Sequence, residues 1–202
     1  MVVYILITAA GASTRMRGSD KLMQLVDGTP LLRRQAARAL AASPLVGVTL
    51  SPMHPDRMLA IAGLAVAKCV VADASEGMAA SLRYAARIAP TYRGDKTATA
   101  IMVVPADMPD LTTLDFLAMI TAHSQAPGAI LRGTANDGTP GHPVLFPSKF
   151  WPDLLHLQGD QGARPVLLKF ADCVTAVALP DAHATTDLDT PEDWANWRAT
   201  RP

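Results

Sequence analysis

The amino-terminal stretch VVYILITAAGASTRMRGSDKLMQLVDGTPLL (residues 2–32) changes character twice. Residues 2–8 are apolar and rich in β-branched side chains, the composition of a short strand buried on both faces. From Ala9 to Thr14 only small residues occur, and three cations follow in quick succession: Arg15, Arg17 and Lys21. Hydrophobicity then returns, and Pro30 stands just before LLRRQAARALAA (31–42), whose leucines, alanines and arginines fall at helical spacing. A buried strand, a small-residue turn bearing positive charge and then a helix is how many α/β sheets begin.

The rest of the chain repeats this alternation. Strands are expected at 46–50, 68–72, 97–104, 128–132, 142–146 and 173–179. Helices are expected at 56–64, 78–89 (stopped by Pro90), 113–124, 147–157, 163–171 and 190–199. Thr190 can cap the last helix, Pro191 suits its first position, and acids occupy its first turn. The strands are apolar throughout rather than at every second residue. This predicts an α/β fold with a mainly parallel, doubly wound, Rossmann-like sheet carrying helices on both faces. No repeat or long linker divides the chain, so residues 1–202 read as a single domain. In such sheets ligands bind at the carboxyl ends of the strands, which directs attention to the loops after residues 8, 72, 104, 132 and 179.

Composition narrows the partners. Of 202 residues half are apolar, and 18 basic side chains balance 18 acidic ones. A neutral chain has no general attraction for nucleic acid or an anionic membrane, so the cations of the first loop are a local feature. The apolar start is too short to span a bilayer and no basic segment precedes it. Cys69 and Cys173 lie far apart in apolar surroundings and read as reduced, buried thiols. A cytoplasmic location follows.

In the first loop, small side chains at Ala9, Ala10, Gly11, Ala12 and Ser13 let backbone amides approach a phosphate closely. Arg15 and Lys21 can neutralise its oxygens, one as a planar fork and the other as a point charge. On chemistry alone, a polyphosphate site and a solvated surface loop explain the segment equally well. Two familiar nucleotide loops fail. A Walker loop counted from Gly11 needs Gly, Lys and Ser or Thr where Met16, Arg17 and Gly18 stand, and a dinucleotide fingerprint needs three glycines where the turn has only Gly11.

The order of Ala9, Ala10, Gly11, Ser13, Arg15, Met16, Gly18, Lys21, Leu22, Gly28, Pro30 and Leu31 resembles the signature of the MobA-like nucleotidyltransferases. Thr8 and Arg17 depart from it. EGMAASLRYA (76–85) and the 141–167 stretch, with GHPVLF and GDQGAR, are similar to the molybdenum cofactor cytidylyltransferase (MocA-like) branch. VVPADMPDL (103–111) and DLDTPEDW (187–194) complete the resemblance. It implies transfer of a nucleotidyl group from a nucleoside triphosphate to a phosphate-bearing acceptor, with Mg²⁺ and release of pyrophosphate. The implied donor is CTP, because Ala at Ala10 goes with cytidine donors and Gly with guanosine donors. The implied acceptor is molybdopterin or its metal-loaded form. A transient contact with a molybdoenzyme or its chaperone follows from the same resemblance.

The resemblance assigns catalysis to Arg15 and Lys21. Nucleotide binding falls to Ala9, Ala10, Gly11, Ala12, Ser13, Gly77, Ser81 and Asp107, and acceptor binding to His142, Asp160 and Arg164. Asp107 and Asp189 are the expected metal ligands, with Asp187 the weaker candidate; Mg²⁺ takes one or two carboxylates and leaves other positions to phosphate and water. The donor part is expected within roughly 1–110 and the acceptor part within 111–202. The tryptophans Trp151, Trp194 and Trp197 read as packing anchors, and Arg33, Arg34 and Arg38 as a solvated basic helix face. Competing readings are a guanylyltransferase of the same family, a sugar-phosphate or isoprenoid-precursor nucleotidyltransferase, a sugar-nucleotide glycosyltransferase, and a nucleotide-binding protein without catalysis.

Overall fold

The computed structural model describes residues 2–73, 76–89 and 98–200. Its strands are β1 (Val2–Ala9), β2 (Leu25–Val26), β3 (Thr29–Pro30), β4 (Val46–Leu50), β5 (Ala67–Val70), β6 (Ala98–Pro105), β7 (Ile130–Thr134), β8 (Pro140–Pro147) and β9 (Val174–Ala178). The helices are α1 (Leu31–Ala42), α2 (Pro55–Ala60), α3 (Met78–Ile88), α4 (Thr113–Gln125), α5 (Trp151–Leu154), α6 (Arg164–Lys169) and α7 (Pro191–Ala199). Pro90 and Thr97, expected to stop α3 and open a strand, lie outside the described residues.

Seven strands form one sheet in the order β5-β4-β1-β6-β8-β7-β9. β1 lies between β4 and β6 and parallel to both, with Ile7 opposite Val48 and Val104. β8 runs antiparallel to β6 and to β7, while β9 is parallel to β7. The sheet is therefore mainly parallel with one reversed strand.

The unbroken apolar run of β1 divides by residue parity. Val3, Ile5, Ile7 and Ala9 pack with Leu32, Ala36 and Ala39 of α1 and with Phe116 and Met119 of α4. Tyr4 and Leu6 face the other way, onto Leu82 and Ala85 of α3, Leu154 of α5 and Val166 of α6. Both faces are covered, which is why alternation is missing from the sequence. Each fully buried Leu, Ile or Val contributes roughly 1.5–3 kcal/mol. A third cluster seats α7 under the first loop: Met16, Val26, Leu31 and Leu188 pack with Trp194 and Trp197, whose rings meet edge to face at 5.8 Å. Thr190 caps α7 through a reciprocal box with Asp193.

Several local expectations need correction. The helix expected at 56–64 ends at Ala60, because Ala62 and Leu64 bond back three residues and Gly63 takes a positive φ of 80°. The helix expected at 147–157 is a 3-10 turn followed by four α-helical residues, and tightens again through His156 N–H to Asp153 O and Leu157 N–H to Leu154 O. The hairpin β2–β3 turns at Asp27 and Gly28, both at positive φ. Nor is the basic face of α1 solvated. Arg33 donates to the carbonyls of Ala60 and Ala62 at 2.9 Å each, Arg38 donates to those of Pro109 (2.8 Å) and Leu111 (2.6 Å), and Arg34 pairs with Asp27 at 2.5 Å. Cys69 is a buried thiol and Cys173 a half-buried one. Among the described residues no helix is long and apolar enough to cross a membrane.

Candidate active site

The site lies where β1 and β6 end. Asp107 follows β6 by two residues, and its carbonyl accepts a hydrogen bond from Leu188 N–H at 3.1 Å. That bond draws the 187–189 loop alongside, so carboxylates 82 positions apart in sequence face one another. Lys21 closes the group: its ammonium donates to Asp107 Oδ2 and, at 2.6 Å, to Asp189 Oδ1. Arg15 reaches the other oxygen of Asp189 at 2.7 Å, with its side chain 68% exposed. Burial works against the Lys21 charge, but the two carboxylates outweigh it and hold the pKa above the usual lysine value. Asp187 stands nearby with its carboxyl pushed upward, first by burial and then by the charges of Asp107 and Asp189.

The turn 9–15 frames a cavity of about 300 Å³, which also touches Lys21, Gly77, Ser81, Asp107 and Asp160. A recess of about 190 Å³ continues it along Gly11, Ala12, Ser13, Thr14 and Arg15. Every residue assigned to the donor from sequence lines one or other of these two spaces, which share Gly11, Arg15 and Lys21. Ser81 is buried at its floor and donates to Thr49 Oγ1 at 3.0 Å, which accepts in turn from Ala9 N–H at 3.3 Å. Gly77 has no room for a side chain, since a Cβ there would fall 1.5 Å from Asp160 Oδ1.

On the side assigned to an acceptor from sequence, the reversed direction of β8 matters. Its amino end, with Gly141 and His142, reaches the edge where the neighbouring parallel strands finish. A Cβ at Gly141 would meet Ala184 O at 1.8 Å, so the loop leading to Asp187 packs directly on this strand. His142, Asp160 and Arg164 share a cavity of about 500 Å³ whose walls are mainly apolar, including Leu82, Val103, Val144, Phe146 and Val174. A space of about 460 Å³ joins His142 and Arg132 to Arg15, Lys21, Asp107, Asp187 and Asp189. Burial, aided by the charge of Arg132, lowers the His142 pKa to about 4, so the ring is neutral at physiological pH. Arg132 is one site residue that sequence reasoning missed, although it ends an expected strand; Arg57 and Asp20, which grip the first loop from behind, are others with no motif to mark them.

The carboxylates suit a divalent cation. Asp107 Oδ1 is buried and lacks a hydrogen-bond partner, so one acceptor oxygen of this carboxylate is unused. Among the described residues no group of three or more His, Cys, Asp and Glu forms a ready cage.

Residues 5–174 match the model of the MobA-like NTP transferase domain. The chain is 25% identical to Rv0371c from Mycobacterium tuberculosis H37Rv, with a TM-score of 0.81 and 98% of each chain covered. Against the complex of Rv0371c with manganese the identity is 23%, the TM-score 0.79 and the coverage 100% of both chains. A synthetase of CMP:2-keto-3-deoxy-manno-octonic acid complexed with CTP shares the fold at 14% identity and a TM-score of 0.72, with 98% of each chain covered. Comparison with curated proteins yields no match.

Proposed function

The chain belongs to the MobA-like NTP transferase family, and from that premise we propose that it is a cytoplasmic, Mg²⁺-dependent cytidylyltransferase acting on molybdopterin or a close phosphate-bearing relative. The observation that carries this reading is Lys21 held by both Asp107 and Asp189 at the head of the cavity framed by the turn 9–15. Cation, carboxylates and phosphate-sized recess meet at one point.

In this reading residues 1–110 supply most of the donor site and residues 111–202 most of the acceptor site. The triphosphate lies against the turn at Ala9–Ser13 with its base toward Gly77 and Ser81. Asp107 and Asp189 would hold Mg²⁺, which when bound neutralises phosphate oxygens and orients them. An acceptor phosphate oxygen attacks the α-phosphorus, forming the new P–O bond while the bond to the bridging oxygen breaks and pyrophosphate departs. Arg15 and Lys21 offset the charge that accumulates on the departing group. The acceptor phosphate is already ionised at neutral pH, so the reaction requires no protein nucleophile. A fused-ring acceptor suits the apolar cavity, with Arg164 at its mouth for a terminal phosphate and neutral His142 and Asp160 for ring edges.

Purified protein with Mg²⁺, each triphosphate and molybdopterin tests the reading by pyrophosphate release. CTP with molybdopterin should give the fastest release. Release only with GTP would reassign the donor, and release only with a sugar phosphate or isoprenoid precursor would reassign the acceptor.

A further inference from the structure

Arg57 is a fully buried arginine on the short helix α2, outside every motif of the family resemblance. A guanidinium carries five N–H donors in a fixed planar fork. Here each has a partner, and all the partners lie between Ala9 and Asp20. Nε donates to Asp20 Oδ2 at 2.7 Å. Nη2 donates to Asp20 Oδ1 at 2.8 Å and to Ser13 Oγ at 2.9 Å. Nη1 donates to the carbonyls of Ala9 at 2.7 Å and Gly11 at 2.6 Å. Asp20 also accepts from Leu22 N–H at 2.9 Å, which ties the far end of the loop to the same point. Helix α2 is itself fixed by Arg33, which holds the carbonyls at its end.

The two captured carbonyls have a stereochemical consequence. In a trans peptide unit the C=O and the following N–H lie in one plane and point in opposite directions, and the cis bond of the described residues is elsewhere, at His142–Pro143. Turning the carbonyls of Ala9 and Gly11 toward the buried guanidinium turns the amides of Ala10 and Ala12 away from it. Ala10 lines the 300 Å³ cavity and Ala12 its 190 Å³ continuation.

We infer that Arg57 is the positioning residue of the phosphate-binding turn: by holding two carbonyls behind the loop it presents the amides of Ala10 and Ala12 to the anionic end of the donor. The inference rests on the proposed triphosphate reading and deepens it. Asp20 serves as the counter-ion that keeps the buried charge in place. A lysine cannot substitute, because three donors on a point charge cannot span two carbonyls, a hydroxyl and a carboxylate.

The test separates phosphate binding from general integrity. CTP is titrated into wild type, Arg57→Lys and Arg57→Ala by calorimetry, and cytidine, which lacks phosphate, is titrated by NMR; GTP and guanosine form a second arm. The dissociation constant for the triphosphate should rise roughly 10- to 100-fold, on the scale of charge-assisted hydrogen bonds, while that of the nucleoside stays put. Added guanidinium ion should restore part of the triphosphate affinity in Arg57→Ala and none in wild type. Should Arg57→Ala not fold, Arg57→Lys and Asp20→Asn carry the same comparison. Equal weakening of triphosphate and nucleoside, or unchanged triphosphate affinity in Arg57→Lys, overturns the inference alone. A wild-type protein that takes up no triphosphate sinks the proposed function and this inference together.

Discussion

The two ends of the site are built on different principles. At the amino-terminal turn, charge is matched atom by atom: Lys21 with two carboxylates, Arg15 with one of them, Arg57 with five acceptors. At the β8 end the walls are apolar, His142 Nδ1 is buried without a partner, and Arg132 and Arg164 stand at the margins. Electrostatic preorganisation admits few residue types at few positions, because charge and geometry must be met together. An apolar cavity accepts many side chains of similar volume. The first end is therefore suited to a fixed chemistry, and the second to a choice of acceptor.

The largest expected effect tests the first half of that contrast. Lys21→Ala leaves Asp107 and Asp189 facing each other without their shared cation, and Asp107→Ala removes a proposed metal ligand. Either should lower the rate of pyrophosphate release by about 10³-fold, the upper range for one electrostatic stabiliser, and chelation of divalent cations should stop release in wild type. Rates within a few-fold of wild type for both variants would erase the distinction between the ends. Arg15→Ala comes next. Its side chain is mostly exposed, so the fold should survive while turnover falls roughly a hundredfold.

This contrast also explains what the sequence could disclose. Arg15, Lys21, Asp107 and Asp189 stand in motifs that a resemblance can carry, and these four meet in space. Elements with strong local signals were legible as well: α1 spans the expected 31–42, and the Thr190 box marks α7. The hairpin at Asp27–Gly28 carried a turn signal that the surrounding loop obscured. The reversal of β8 had none, because an apolar strand reads the same in either direction. Arg57 was invisible for a different reason. Two of its five acceptors are backbone carbonyls, which leave no mark on side-chain pattern, and the helix that bears it starts 35 residues beyond Asp20.

A smaller effect addresses the second end. Arg164→Ala should raise the KM for a phosphate-bearing acceptor by about tenfold, the value of one exposed charge-assisted contact, and leave triphosphate affinity unchanged. Steady-state kinetics with the acceptor varied at saturating CTP measures the first quantity, and calorimetry the second. A change confined to triphosphate affinity would place Arg164 on the donor side and blur the two ends into one.

The last effect is nil at pH 7 and appears only in acid, where the two ends should fail in separate windows. His142 titrates at about 4 in the folded protein because of burial and Arg132, against about 6.5 when unfolded. As pH falls from about 6.5 the unfolded chain binds the proton first, so stability declines until about pH 4, by an amount on the order of 3 kcal/mol. Asp20 acts in the same direction but in a lower window. Burial pushes its carboxyl up, but the hydrogen bonds from Arg57 and Leu22 N–H and the Arg57 charge prevail, and its pKa lies below the ordinary 3.8. A depressed carboxylate contributes in full above its unfolded pKa and loses that contribution as pH falls through the folded one, so the turn weakens only below about 3.8. Melting temperatures of wild type, His142→Gln and Asp20→Asn between pH 7 and pH 3 check both windows. His142→Gln should flatten the decline between 6.5 and 4 without altering the steeper loss below it, and Asp20→Asn should flatten only the latter. If His142→Gln leaves the upper window unchanged, the neutral, desolvated imidazole that distinguishes the β8 end is not there.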